Sequence, residues 1–150
     1  MFPLMLKMHN KKILFVGGGK VAERKINSLL SVPNPPFIKV VAPQITIGLE
    51  NLCDKKKISW NKETFSLKKE FGDFDYIFIC TDKKRVNEKA ADFFTEFRKE
   101  INVCDNKEKS TFFMPAVTKN EKITVAVSTS GNDPAYAKKI KNLIDKTLNR

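Results

Sequence analysis

The sequence predicts an α/β fold, in which a parallel sheet is followed by a β-hairpin and a C-terminal helix. Three observations predict it. Residues 12–24 pass from a short apolar run through three consecutive glycines into a helix-favouring segment. Apolar runs then alternate with helical patterns up to about residue 105, which is typical of parallel βαβ units. Beyond that point the chain changes to two β-rich stretches and one last helical pattern.

The glycine segment has the spacing G-x-G-x-x-A, formed by Gly17, Gly19 and Ala22. Gly17 permits a tight turn, Gly19 lets the backbone approach a pyrophosphate, and Ala22 allows the helix to pack closely on the strand. Free N–H groups and the dipole at a helix N-terminus favour phosphate oxygens. The alternative is a tight strand-to-helix turn with no ligand. Because the motif follows the first strand of an alternating chain, we expect a Rossmann-like dinucleotide site.

The first βαβ unit is predicted from a strand at about 12–16, a helix from Gly19 to about Leu30, and a second strand from Phe37 to Ala42. The crossover should then be right-handed. The apolar lead-in at 2–6 is expected to lie against the domain. The helix residues expected to face inward are Val21, Ile26, Leu29 and Leu30.

Three further strands are predicted at 58–60, 75–80 and 101–104, and the second of these is apolar almost throughout, as buried parallel strands are. A short helix is expected over 45–54, with Ile45, Leu49 and Leu52 on one side, and a connector with about one helical turn over 65–71. The helix predicted over 83–99 carries its inward residues at helical spacing: Val86, Ala90, Phe93, Phe94 and Phe97.

Polar residues follow the predicted strands at the edge where open α/β sheets bind ligands. They are Thr81 and Asp82 after the fourth strand and Asp105 after the fifth. The alternative for each is a capping role, and we expect Thr81 or Asp82 to cap the following helix as well. The second strand ends in Ala42-Pro43, without the acidic residue that often holds the ribose 2′-OH, so the motif leaves NAD and NADP open.

The C-terminal part is predicted as a hairpin, from β-rich stretches at 111–118 and 122–129, and a helix with Asp133 as N-cap and Pro134 in the first position. A hairpin with one helix is small for an independent core, so we expect it to form a dimerisation region. The predicted domains are 1–112 and 113–150. The apolar face of the last helix is expected to contain Tyr136, Ile140, Leu143 or Ile144, and Leu148.

Composition limits the function classes. Lysine and arginine outnumber aspartate and glutamate by 28 to 17, a net charge of +11, which favours a polyanionic ligand or reflects solvated lysine faces. No nucleic-acid-binding motif accompanies this charge, so no nucleic-acid partner is expected. No apolar run is long enough for a membrane helix, and residues 1–10 lack signal-peptide features, so we expect no membrane partner and a cytoplasmic location.

Cysteine and histidine usage argues against a metal site. The single histidine, His9, has no nearby ligand cluster, and Cys53, Cys80 and Cys104 are widely spaced. They predict buried free thiols rather than a disulfide framework or a zinc site. No bound metal is expected.

Seven further segments occur in a characteristic order: Phe2-Pro3-Leu4, 16–25, Val41-Ala42-Pro43, Thr81-Asp82 with Asn87, 102–105, 112–116, and 125–131 leading to Pro134. In this order they resemble the precorrin-2 dehydrogenases, which also form the N-terminal part of siroheme synthase. The resemblance covers nearly the whole chain. It implies NAD-dependent oxidation of precorrin-2 to sirohydrochlorin in siroheme biosynthesis. In some members it also implies ferrochelatase activity, a lyase reaction with ferrous iron.

The resemblance implies that Asp105 is the essential aspartate and that the protein is a homodimer with the hairpin region at the interface. Dehydrogenation sends a hydride to nicotinamide and a proton to a base, and Asp105 is expected near the nicotinamide end of the crevice to take the proton. With the glycine motif, the resemblance gives these expected NAD contacts: Gly17, Gly18, Gly19, Lys20, Val21, Ala22, Ala42, Pro43, Thr81 and Asp82.

The substrate that the resemblance implies is a polycarboxylate, which would explain the positive net charge by a small-molecule ligand. Its carboxylates are expected at the turn Ser128, Thr129, Ser130 and Gly131 and at the start of the last helix, with Lys107, Lys109 or the lysines of 138–146 nearby.

Two departures from the family pattern stand out. Members usually carry a further helical region beyond the segment matched by 134–148. This leaves three alternatives: an open site, cover by a partner, or dehydrogenation with weak chelation. Asp133 replaces a neutral small residue before proline, which places a negative charge near the expected carboxylate site.

The rival function is a non-catalytic NAD-binding regulatory module. Such domains usually carry an acidic residue after the second strand and need no motif like 102–116.

Overall fold

A computed structural model describes residues 1–148 and divides the chain into two units. The larger is Leu4–Thr111, and the smaller combines Met1–Pro3 with the segment that begins at Phe112. The elements of the larger unit, in chain order, are β1 (Lys12–Val16), α1 (Lys20–Leu30), β2 (Phe37–Val41), α2 (Ile47–Asp54), β3 (Ser59–Asn61), a 3-10 turn (Lys69–Asp73), β4 (Tyr76–Ile79), α3 (Lys84–Glu96) and β5 (Glu100–Val103).

The five strands form one parallel sheet in the order β3-β2-β1-β4-β5. Val16 pairs with Val41 on one side and with Ile79 on the other, so β1, β2 and β4 end side by side. The strand order reverses between β1 and β4, and open α/β sheets bind ligands outside the carboxyl ends at such a point. The predicted Rossmann-like sheet is therefore confirmed.

The sheet is buried on both faces, as a parallel sheet covered by helices must be. The four residues from Ile13 to Val16 are fully buried, and the Phe15 ring stacks on Phe78 with centroids 4.6 Å apart. On the opposite face, Phe94 of α3 packs in one apolar cluster with Ile79 and Val103.

The smaller unit contains the predicted hairpin, β6 (Ala116–Lys119) antiparallel to β7 (Thr124–Val127), and the helix α4 (Pro134–Leu148). The Asp133 carboxylate accepts the Tyr136 backbone N–H at 2.8 Å, which confirms Asp133 as the N-cap. The Thr118 hydroxyl bonds to the Asp145 carboxylate, and the Asn120 amide donates to the Leu148 carbonyl at 3.2 Å. These contacts fix the helix against the hairpin.

Several inward residues of the helices were predicted wrongly. Val21 is exposed, because the buried stripe of α1 follows Ala22, Ile26 and Leu29. Phe97 is exposed because α3 ends before it. In α4 the buried residue is Ala137, so its neighbour Tyr136 points elsewhere and is 54% exposed.

The remaining corrections concern the third strand, the lead-in and two of the thiols. The third strand begins one residue later than predicted, at Ser59. The side chains of Phe2, Leu4, Met5 and Leu6 are exposed rather than packed. Of the three thiols predicted to be buried, Cys80 is buried, Cys53 is half-buried and Cys104 is exposed. Within residues 1–148, no helix has both the length and the apolar character needed to span a membrane.

Candidate functional site

The glycine turn is clamped between the ends of β2 and β4. The Gly17 N–H donates to the Val41 carbonyl at 2.9 Å, and the Cys80 N–H donates to the Val16 carbonyl at 2.7 Å. Gly17 has φ +102°, and a Cβ there would lie 2.5 Å from the Cys80 carbonyl oxygen. Only glycine tolerates both this backbone conformation and this approach.

The next two glycines differ in their surroundings. A Cβ on Gly18 would lie 2.4 Å from Cγ2 of Ile45, whereas a Cβ on Gly19 would meet no atom within 4 Å. Gly19 is the N-cap of α1 and no side chain caps the helix there. Lys20 and Val21 are exposed beside this open space, and Ala22 is fully buried. The turn therefore offers uncapped backbone N–H groups beside open space, the arrangement that suits an anionic group such as a pyrophosphate.

The end of β2 forms an apolar wall. Ala42 is buried, and its carbonyl accepts the Trp60 indole N–H at 2.9 Å. Pro43 follows and is exposed. Neither side chain can accept a hydrogen bond from a ribose hydroxyl.

Asn87 joins the ends of β4 and β5. This residue of α3 is 1% exposed, and its Nδ2 donates to the Thr81 carbonyl at 3.0 Å and to Oδ2 of Asp105 at 2.9 Å. Its Oδ1 accepts the Thr81 hydroxyl at 2.5 Å. The single amide thus brings Thr81 and Asp105, predicted from two separate strands, into one network.

The capping alternatives can be compared with this geometry. The N-cap of α3 is Lys83 and has no side-chain cap, so the prediction that Thr81 or Asp82 caps the helix is wrong; the Thr81 hydroxyl instead accepts the Lys83 N–H, at 3.2 Å. After β5, the side chain of Asn106 accepts the Lys109 N–H at 3.0 Å. Asp105 is exposed and accepts from Asn87. Asp82 is exposed at the same edge.

The residues predicted to hold substrate lie in the smaller unit, in the turn before α4. The Ser128 hydroxyl accepts the Ser130 N–H at 3.1 Å, and the Thr129 hydroxyl accepts the Asp133 N–H at 2.9 Å. Ser130 and Gly131 both have positive φ, at 57° and 75°. Side-chain hydrogen bonds therefore define the turn.

Asn87 is the site residue to which the sequence assigned no role. A polar residue on the buried stripe of α3, in line with Ala90, Ala91 and Phe94, was the available signal. A buried amide of this kind needs partners, and the ends of the two neighbouring strands supply them. In the described part of the chain, no cluster of three or more His, Cys, Asp or Glu side chains could hold a metal ion.

Comparisons with known proteins agree with the fold and the motifs. A family model described as "Putative NAD(P)-binding" matches residues 4–116. The chain is 34% identical to a siroheme synthase of Xylella fastidiosa (strain M12) over all of its own length, and it spans about a third, 32%, of that protein. It is 28% identical to a precorrin-2 dehydrogenase of Bacillus subtilis (strain 168), covering 99% of this chain and 89% of that protein.

A solved structure of SirC, a precorrin-2 dehydrogenase, has the same fold. It superposes with a TM-score of 0.79 at 22% identity, over 98% of this chain and 71% of the other. The resemblance identified from the motifs is confirmed by these relatives.

Proposed function

Since the chain belongs to the NAD(P)-binding family whose model matches residues 4–116, we propose that it is an NAD-dependent precorrin-2 dehydrogenase that produces sirohydrochlorin. One observation carries the proposal. The glycine turn, with its open space at Gly19, and the carboxylate of Asp105, which Asn87 holds, lie at the same edge of the sheet, with the end of β4 between them. A dinucleotide site and a positioned base are the two components that a dehydrogenation requires.

The residues of the edge divide naturally along a bound dinucleotide. Gly17, Gly18 and Gly19, with the exposed Lys20 and Val21, would hold the pyrophosphate, and Ala22 would keep the helix close to the sheet. Ala42 and Pro43 would lie against the adenosine, and Thr81 and Asp82 against the nicotinamide half. When bound, NAD accepts a hydride from the substrate.

We propose NAD rather than NADP. The end of β2, at Ala42-Pro43, has no guanidinium for a 2′-phosphate.

Asp105 would accept the proton that leaves the substrate. Its Oδ2 is held by the Asn87 amide at 2.9 Å, which orients the carboxylate, and the exposed residue presents Oδ1 for the proton. Asp105 would then be a general base, and Asn87 a positioning residue that acts through it.

The smaller unit would contribute substrate carboxylate binding and a homodimer interface. A shallow depression of about 340 Å³ on α4 is lined by residues that include Lys138, Lys139, Lys146 and Leu143, which suits a large apolar ring with carboxylate arms. Val117 and Ile123 of the hairpin are also exposed, and apolar exposure on so small a unit supports burial against a second copy. We assign the cytoplasm as the compartment, where unpaired cysteines such as these persist.

The test is to incubate the purified chain with precorrin-2 and NAD. We expect sirohydrochlorin and NADH to form in equal amounts, and NADP to support the reaction poorly. Tight NAD binding without turnover would instead indicate the regulatory module. Adding ferrous iron after dehydrogenation is complete tests chelation separately.

A further inference from the structure

Two thiols lie together at the same edge of the sheet. β4 and β5 pair in parallel with Ile79 opposite Val103, and the next residues of the two strands are Cys80 and Cys104. The Cys104 N–H donates to the Ile79 carbonyl at 2.9 Å, so the register continues to this point. The two sulfurs are 2.7 Å apart. The proposed reaction uses neither of them.

The backbone spacing suits a covalent bond between these sulfurs. Neighbouring strands lie about 4.7–4.9 Å apart, within the Cα separations of roughly 4.4–6.8 Å found for disulfides. The two sulfurs already lie within reach of each other for an S–S bond, whose length is about 2.05 Å. Both residues follow the last paired residue of their strands, where the backbone can adjust.

The surroundings favour a reactive Cys104. Side chains two residues apart on a strand lie on the same face of a sheet. Cys80 therefore lies on the same face as Phe78, and Cys104 on the same face as Asn102. The Lys25 ammonium donates to Asn102 Oδ1 at 2.9 Å and lies 5.3 Å from the Phe78 ring centroid. The hydrogen bond with Cys80, aided by Lys25 and Arg24, lowers the pKa of Cys104, although partial burial of the sulfur itself and the charge of Asp105 oppose this shift.

The two cysteines differ in the way that an attacking and a resolving thiol differ. Cys104 is exposed and Cys80 is buried. Hydrogen bonding to Cys104, and then burial, raise the pKa of Cys80. An accessible thiolate in a cationic environment is the nucleophile in thiol–disulfide exchange.

We propose that Cys80 and Cys104 form a redox-active pair, which a low-molecular-weight disulfide converts into a disulfide between the ends of β4 and β5. The Cys104 thiolate attacks the reagent, forms a mixed disulfide and releases one thiolate. Cys80 then loses its proton and attacks the Cys104 sulfur, which releases the second. Two protein thiols and one reagent disulfide thus become one protein disulfide and two reagent thiols.

The bond would form next to the proposed catalytic groups. Asp105 follows Cys104 directly, Thr81 follows Cys80, and the Cys80 carbonyl is the group against which Gly17 packs. Because shifts of about 1 Å in an active site can cost up to about 10²-fold in rate, we expect oxidation to lower turnover at least several-fold and a reductant to restore it. This effect on turnover is the only part of the inference that rests on the proposed function.

The test is to incubate the folded full-length chain with oxidised glutathione and to measure thiols and intact mass. We expect the three thiols to fall to one and the mass to fall by two hydrogens, with peptide mapping joining Cys80 to Cys104. Burial and the neighbouring Asp54 and Glu50 raise the pKa of the Cys53 thiol, so this thiol should take no part in the reaction. The matched control Cys53→Ser should therefore still lose the two hydrogens.

The variant Cys104→Ser should not lose two hydrogens, and Cys80→Ala should accumulate a stable glutathione adduct on Cys104. Persistence of all three thiols in the wild type, or adducts without ring closure, would overturn the proposal. Neither readout depends on turnover, so a failure of the pair and a failure of the proposed dehydrogenase activity are distinguished.

Discussion

Replacing Asn87 by leucine removes the amide that joins the two strand ends and keeps the branching of the side chain at Cγ. Three hydrogen bonds are lost, two to Thr81 and one to Asp105. At about 0.5–1.5 kcal/mol for each bond, we expect the free energy of unfolding to fall by about 1.5–4.5 kcal/mol. Turnover should fall roughly tenfold or more, because Asp105 loses the side chain that orients it.

The assay combines urea unfolding with kcat and KM for the single variants and the double variant. In an Asp105→Asn background, Asn87→Leu should change kcat little further, because a positioning residue acts only through the group it positions. Lys89→Ala, at an exposed site on the same helix, is the control and should change stability by less than about 0.5 kcal/mol. A kcat for Asn87→Leu equal to that of the wild type, or fully additive effects on kcat in the double variant, would refute the positioning role.

Three further predictions concern the phosphate site, the substrate surface and acid stability. Gly19→Asp should leave the fold intact, because a Cβ there meets nothing within 4 Å, and should abolish NAD binding in calorimetry, because the carboxylate would repel the pyrophosphate. The control Gly19→Ala should retain NAD binding. Unchanged NAD affinity in Gly19→Asp would mean that the glycine turn is not part of the site. Precorrin-2 affinity should fall with salt much more steeply than NAD affinity, because several substrate carboxylates would meet a basic surface within a screening length of about 8–10 Å; equal slopes would mean that the lysines form a solvated face. The Lys12 backbone N–H, with the Lys11 ammonium, lowers the pKa of Asp75 below 3.8, so this carboxylate stabilises the fold above that pH and loses its effect as the pH falls through the lowered value. The stability that Asp75→Asn loses should therefore be greatest near neutral pH and should shrink as the pH falls through the lowered pKa, as urea midpoints would show; an equal loss at every pH would contradict this account.

The parallel sheet could be predicted from the sequence because its signals are local. Apolar runs such as 75–80 and the Gly17–Gly19 turn each require one backbone conformation, and the alternation between them sets the topology. The helix faces were harder to predict. Val21 lies one position from Ala22, and a hydrophobic residue at the margin of a stripe can point either way, so only packing against the sheet decides it.

The candidate site could be predicted only in part. Thr81 and Asp105 were identifiable because each follows a strand. Their connection through Asn87 depends on how α3 packs on the sheet, which spacing alone does not define. The proximity of Cys80 to Cys104 depends in the same way on the pairing of β4 with β5, because these residues are 24 positions apart in the chain.

The most direct test of the catalytic account is the turnover of precorrin-2 by Asp105→Asn. Asparagine is nearly isosteric with aspartate, and its side-chain oxygen can still accept the hydrogen bond that the Asn87 amide donates. It cannot accept a proton as a carboxylate does. We predict unchanged NAD affinity, an unchanged unfolding midpoint, and a loss of turnover of at least about 10²-fold, the lower end of what a general base supplies. Normal turnover by this variant would contradict the assignment of Asp105 as the base.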